Sequence, residues 1–164
     1  MGREIYAQIR DTDAYDEETE GYGLANSHVA WDSTEGSLNL FVCGRDDATG
    51  YIAAQANEDG FVALVGDEVK DILDAVKEYS HEDHREISKV RKRLKAIEAA
   101  RKNARNYEEF ASFDEEIDNC REWLEHESYS RADGLLEIIG AVLGEYSKEK
   151  YDKTKYKPYL VVSE

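Results

Sequence analysis

Two runs of apolar residues at coiled-coil spacing constrain this chain more than any other feature of its sequence. Ile87, Val90, Leu94 and Ile97 follow one another at intervals of 3, 4 and 3, and Phe110, Phe113, Ile117, Cys120 and Leu124 repeat the pattern as 3, 4, 3, 4. Such spacing places each set in one narrow stripe along a helix, which has to be buried against a second stripe. Residues 103–107 are the natural place to turn, and two striped helices with a short connection pack antiparallel. The expectation is a helical hairpin over 84–127, with one continuous helix as the alternative. Charge favours the hairpin. Residues 85–105 carry 9 bases against 2 acids, whereas 106–127 carry 9 acids against Arg121 alone, so a basic helix would lie on an acidic one.

The segments on either side carry different periodicities. Residues 4–9, 27–31, 38–43, 51–56 and 61–65 read as short β segments separated by turn chemistry. Residues 32–36, 45–50 and 57–60 each end in Gly, which supplies the positive φ that hairpin loops commonly require. Sequential hairpins over residues 1–66 predict an antiparallel β-meander. In one strand Leu38, Leu40 and Val42 alternate with Asn39 and Phe41, so helices are expected to cover one face. Asp67 is a favourable N-cap for a helix over 67–79. At 100° per residue Val69, Ile72, Leu73 and Val76 share one face, while Asp67, Asp71, Asp74 and Glu78 line the opposite one. In 128–164, Leu135, Leu136, Ile138, Ile139, Ala141, Val142 and Leu143 predict a buried helix near 133–147. The β-prone Tyr159-Leu160-Val161-Val162 after Pro158 predicts a strand added to the sheet. The fold class is therefore α+β: one domain over 1–164, an antiparallel meander covered by helices, with a projecting antiparallel helical hairpin.

At 164 residues, with 41% apolar and 10% aromatic residues, the chain can bury a substantial core despite its 35% charged content. No run of about 18 apolar residues marks a membrane span, and the N-terminus lacks a basic stretch followed by an apolar one. Gly2 is followed by Tyr6 where a myristoylation signal has Ser or Thr. The expected location is the cytoplasm, with no membrane association. Cys43, in an apolar strand, and Cys120, on a helical apolar face, read as small buried hydrophobes and not as a disulfide framework.

Candidate chemistry is sparse. Asp11, Asp13, Asp16, Glu17 and Glu18 crowd carboxylates as a hard cation would want, but Tyr15 replaces a ligand, Asp16 replaces the turn Gly, and Tyr22 replaces the closing Glu of a calcium loop. His81-Glu82-Asp83-His84 has no second cluster to complete a zinc site, and it reads as a helix start with Ser80 or Asp83 as the cap. His126, between Glu125 and Glu127, reads as a surface histidine. Cys43 and His28 sit on candidate strands, but nothing in their spacing singles out a nucleophile and its base. Gly21-Tyr22-Gly23 lacks the strand-turn-helix setting of a nucleotide loop. No cofactor, metal or catalytic residue is expected.

Charge carries the remaining signal. Lys89, Arg91, Lys92, Arg93, Lys95, Arg101, Lys102 and Arg105 alone would suggest nucleic-acid binding, but the acidic partner helix is expected to satisfy most of them internally, so direct nucleic-acid binding is not expected. Residues 1–84 hold 20 acids against 5 bases, an excess that no basic element offsets within a total of −16. Such a surface either confers solubility or recognises a basic protein. On the first helix the carboxylates of Asp67, Asp71, Asp74 and Glu78 would be spaced by about 4.5–6 Å along the axis, broadly like the phosphates of one duplex strand. Asp11, Asp13, Asp16, Glu17 and Glu18 would add charge, with Tyr15 and Tyr22 as aromatic anchors. The expected partner is a basic, nucleic-acid-handling protein. Small acidic inhibitors of restriction or CRISPR nucleases, carried by phages and mobile elements, act in this way as a class, and the chain is similar to them in size and charge, with no family motif in any part. The competing expectations are an adaptor or oligomerisation protein that uses the hairpin, and a small enzyme or metal protein with a cryptic site.

Overall fold

The computed structural model describes residues 2–11, 15–16, 21–22, 27–34 and 40–164, giving the backbone alone for 15, 16, 21 and 22. It divides into two compact units, one formed by Met1–Tyr79 with Arg131–Glu164 and the other by Ser80–Ser130. The class is α+β, with a five-stranded antiparallel sheet, helices and a helical hairpin.

In the first unit the strands are β1 (Glu4–Asp11), β4 (Val29–Asp32), β5 (Phe41–Cys43), β6 (Phe61–Ala63) and β7 (Tyr156–Ser163), with a separate backbone ribbon of β2 (Tyr15–Asp16) and β3 (Gly21–Tyr22). Period-2 alternation sorts β1: Ile5, Ala7 and Ile9 are fully buried on the face covered by helices, and Tyr6, Gln8 and Arg10 lie on the other. Val42 follows the same rule in β5, buried while Phe41 is 47% exposed.

Strand order departs from the sequential one. The path is β4-β1-β7-β6, with β5 also pairing β1, so the C-terminal strand lies between β1 and β6. Pro158 sits inside β7 opposite Ile9 of β1, where a proline is unusual. Its missing N–H faces β6: Val162 bonds the Gly60 carbonyl, and Leu64 donates to the Pro158 carbonyl at 3.0 Å with no return bond available. The β6 ladder ends there.

Of residues 51–56, expected as a strand, 51–55 form the second half of α1 (Asp47–Gln55), and Ala56 is its C-cap. The cause is a capping box: Asp46 accepts from the Thr49 N–H at 2.8 Å, and the Thr49 hydroxyl accepts from the Asp46 N–H at 3.0 Å. Gly50 therefore lies within a helix and not at a hairpin corner. The turn expected at 57–60 does form, with Asn57 accepting from the Asp59 and Phe61 N–H groups and Gly60 at φ +85. A Cβ at Gly60 would also lie 2.5 Å from the Val162 carbonyl oxygen. Gly36 lies outside the described residues.

Helix α2 (Gly66–Arg101) is one helix of 36 residues, so neither Ser80 nor Asp83 caps a new one. No Gly or Pro interrupts 80–84, Ser80 is buried, and the Asp83 carboxylate accepts from the Ser130 hydroxyl at 2.8 Å. Asp67 falls in the first turn, beside Glu68, and not at the cap. Ile72 and Val76 are buried in the core, with Val69 and Leu73 packed against it. Helix α4 (Arg131–Tyr146) buries Leu135, Ile138, Ile139 and Val142, with Leu136 and Leu143 half-buried.

After α4, Lys148 and Lys150 reach back to Glu145 at 2.7 and 3.0 Å, and the Tyr151 hydroxyl donates to it at 2.7 Å. The Lys148 and Tyr151 hydrogen bonds hold the Glu145 pKa down, from 4.5 to about 2. A carboxyl with a lowered folded-state pKa stabilises the protein above its unfolded pKa, and this is lost as pH falls from about 4.5 towards about 2. Glu145→Gln should therefore cost about 1–2 kcal/mol at pH 7, since Glu145 is 14% exposed and its lysines are in water. Urea titrations of both proteins should converge as pH is lowered through that window. A cost unchanged at the acid end would assign the effect to packing and not to charge.

In the second unit α2 turns at 102–106 into α3 (Tyr107–Glu127), where the sequence places the turn. Asn106 caps α3 by accepting from the Glu109 N–H at 3.0 Å, and Glu109 accepts from the Arg105 N–H at 2.7 Å. Ile97, Ile117 and Cys120 are buried at the seam, with Val90, Leu94 and Phe113 packed on them. Two ion pairs cross it among the described residues: Arg101–Asp114 at 2.6 Å and Arg121–Glu98 at 3.2 Å. Lys89, Arg91, Lys92, Arg93 and Lys95 remain exposed, so the acidic helix satisfies less of the basic charge through direct pairing than the sequence suggests.

Candidate functional site

The carboxylate stripe lies on the N-terminal part of α2, within the first unit. Asp67, Asp71, Asp74 and Glu78 are all exposed, while Ile72 and Val76, half a turn away, are 5% and 0% exposed. One physical cause produces both facts, because anchoring the apolar face in the core fixes the rotation of the helix and points the acids outward.

The stripe borders a groove of about 320 Å3, lined by Tyr51 and Gln55 of α1, Ala63 of β6, and Glu68, Asp71 and Ile72 of α2. The Tyr51 ring stands 6.0 Å from that of Tyr79. Burial pushes the Tyr51 hydroxyl pKa up, and the neighbouring Asp71 charge and Tyr79 push it further. An aromatic face beside two carboxylates suits a cationic side chain, which gains Coulomb attraction and a cation–π contact in one place. Tyr51 and Glu68 were not singled out from the sequence; the capping box at Asp46 was the local signal that would have placed Tyr51 on a helix facing α2.

The other expected site residues are distributed differently. Asp11 ends β1, is 6% exposed, and has the Lys155 ammonium 3.7 Å from its carboxylate, so it is held in the sheet and does not extend the exposed stripe. Tyr15 and Tyr22 are register partners in the β2–β3 ribbon, with Asp16 opposite Gly21. Asp13, Glu17 and Glu18 lie outside the described residues, as do the side chains of Tyr15, Asp16 and Tyr22.

Cys120 is buried as expected, but Cys43 is exposed, because Val42 takes the inward position of its short strand. Cys43 lies opposite Glu4, whereas Val29, next to His28, lies opposite Arg10. Six residues of β1 separate the two positions, roughly 20 Å, so no Cys43–His28 pair assembles. His81, Glu82 and His84 are exposed on α2. Among the described residues no group of three or more His, Cys, Asp or Glu is arranged to hold a metal ion, and no helix is long and apolar enough to cross a membrane. Comparison with protein-family models, curated proteins and solved structures finds no match to this chain.

Proposed function

We propose that this chain is a non-catalytic acidic binding module, or inhibitor, that engages the basic surface of a nucleic-acid-handling protein in the cytoplasm as a nucleic-acid mimic. The observation that carries this reading is the exposed stripe Asp67, Asp71, Asp74 and Glu78 bordering the groove of Tyr51 and Glu68. The stripe supplies regularly spaced negative charge on a rigid helix, and the groove supplies a place for one arginine or lysine to be held by more than charge. The acid excess of residues 1–84 accelerates encounter with a basic partner, since long-range attraction raises association rates. Pull-down from host lysate with the immobilised chain, at about 0.05 M and about 0.5 M salt, tests the proposal. Nucleic-acid-binding proteins should be captured at the lower salt, lost at the higher, and displaced by added duplex DNA. Capture indifferent to both salt and DNA would reduce the acidic face to a solubility device.

A further inference from the structure

The hairpin unit has an open side of its own. At 100° per residue, Arg93 on α2 and Trp123 on α3 fall on one flank of the seam, and Glu98 and Arg121 on the other. The Arg93 flank holds a groove of about 380 Å3, with Val90, Cys120 and the half-buried Trp123 as its apolar surface. Because the helices are antiparallel, Glu86 stands at the Trp123 end, and Arg93 and Glu116 flank the opposite end.

We propose that this groove pairs with the same groove of a second copy of the chain, forming a four-helix bundle in which α2 of each copy lies against α3 of its partner. A two-fold interface has to be self-complementary, each patch meeting its own image. The charge of this unit has that property: the excess of 7 bases over acids on residues 85–105 nearly balances the excess of 8 acids over bases on 106–127. Two hairpins can stack face to face about a two-fold axis running across the helices or along them. The first arrangement sets α2 on α2, bringing like charge together, and the second sets α2 on the partner's α3. Electrostatics therefore selects the second. In it, Arg93 and Glu116, which share one end of the groove, meet their opposite numbers on the partner. Val90, Cys120 and Trp123 supply the apolar centre that such an interface needs, with Trp123 as its anchor.

The test is sedimentation equilibrium of the full chain at about 0.15 M salt, where the acid excess of the other unit is screened beyond about 8 Å. The wild-type protein should show a monomer–dimer equilibrium. Arg93→Glu or Glu116→Arg alone should raise the dissociation constant about tenfold, with helicity by circular dichroism unchanged, because each reversal places like charges at both symmetric contacts. An equimolar mixture of the two variants should associate as tightly as wild type, since every cross-copy contact then joins opposite charges. A role confined to one hairpin would not be repaired by mixing. A wild-type chain that stays monomeric over the whole concentration range, or a mixture no tighter than its components, overturns the proposal and leaves the groove to a different partner. Neither result bears on the α2 stripe, which lies in the other unit.

Discussion

Replacing Asp71, Asp74 and Glu78 together by Asn, Asn and Gln should abolish capture of the basic partner and leave the fold intact. All three side chains are exposed and sit opposite the buried Ile72 and Val76, so their neutralisation removes no core contact. Exposed substitutions of this kind usually change stability by less than about 0.5 kcal/mol each, and the urea midpoint should stay close to that of wild type. Asp67 and Glu68 are retained because they occupy the first turn of α2, where negative charge favours the helix dipole. If each lost contact contributes about 1 kcal/mol, the three together weaken binding on the order of a hundredfold. That loss is large enough to empty a pull-down. Titration of an isolated partner should show the dissociation constant rising with each added neutralisation, and the salt dependence becoming shallower in step. Retention of full affinity by the folded triple variant would remove the stripe from the interface.

The helix that carries this stripe was legible because apolar periodicity and burial are the same physical fact seen twice. Ile72 and Val76 had to face the core, and the phase of a helix leaves no freedom for the residues between them. The hairpin was legible for the same reason, with Ile97, Ile117 and Cys120 buried as their spacing requires. What failed was local reading where two signals conflicted. Tyr51 and Ile52 favour strands and Gly50 favours a turn, but the reciprocal bonds of Asp46 and Thr49 start a helix that carries all three residues. With α1 misread, the groove between Tyr51 and Asp71 could not be anticipated.

The run after Pro158 joins the sheet as its sequence predicts, but which strands lie side by side was not legible. The alternation of Ile5, Ala7 and Ile9 states which face of β1 is buried and says nothing about which strand lies beside it. Pro158 lies inside a strand with neighbours on both sides, although its ring removes a ladder donor. It is accommodated where β6 has run out, so one neighbour of β7 needs no bond from it. Asp11 shows the same limit on the functional side. In the sequence it stands among the carboxylates of Asp13, Asp16, Glu17 and Glu18, but a lysine from the far end of the chain, Lys155, stands beside its carboxylate at the end of a strand.

The largest expected effect on stability comes from Leu135→Ala. Leu135 is fully buried in α4, in a core cluster with Ile138, Ile139 and Val142 of the same helix, Ile5, Ala7 and Ile9 of β1, and Leu160 of β7. Truncation removes three carbons from a site whose neighbours are themselves fixed by sheet pairing, so collapse around the void is restricted and the cost should reach about 2–5 kcal/mol. Against a total of about 5–15 kcal/mol for a domain, that is a large fraction. The two tryptophans allow the effect to be localised, since Trp31 packs on this core and Trp123 lies in the hairpin unit. In a Trp123→Phe background, urea unfolding followed by Trp31 fluorescence should move to lower denaturant on Leu135→Ala, with its slope unchanged. Leu94→Ala is the control: Leu94 is only half-buried at the seam, so its loss should fall below that of Leu135→Ala. A Leu135→Ala cost within about 0.5 kcal/mol of zero would mean that α4 repacks without it, and the assignment of Leu135 to the centre of this core would fail.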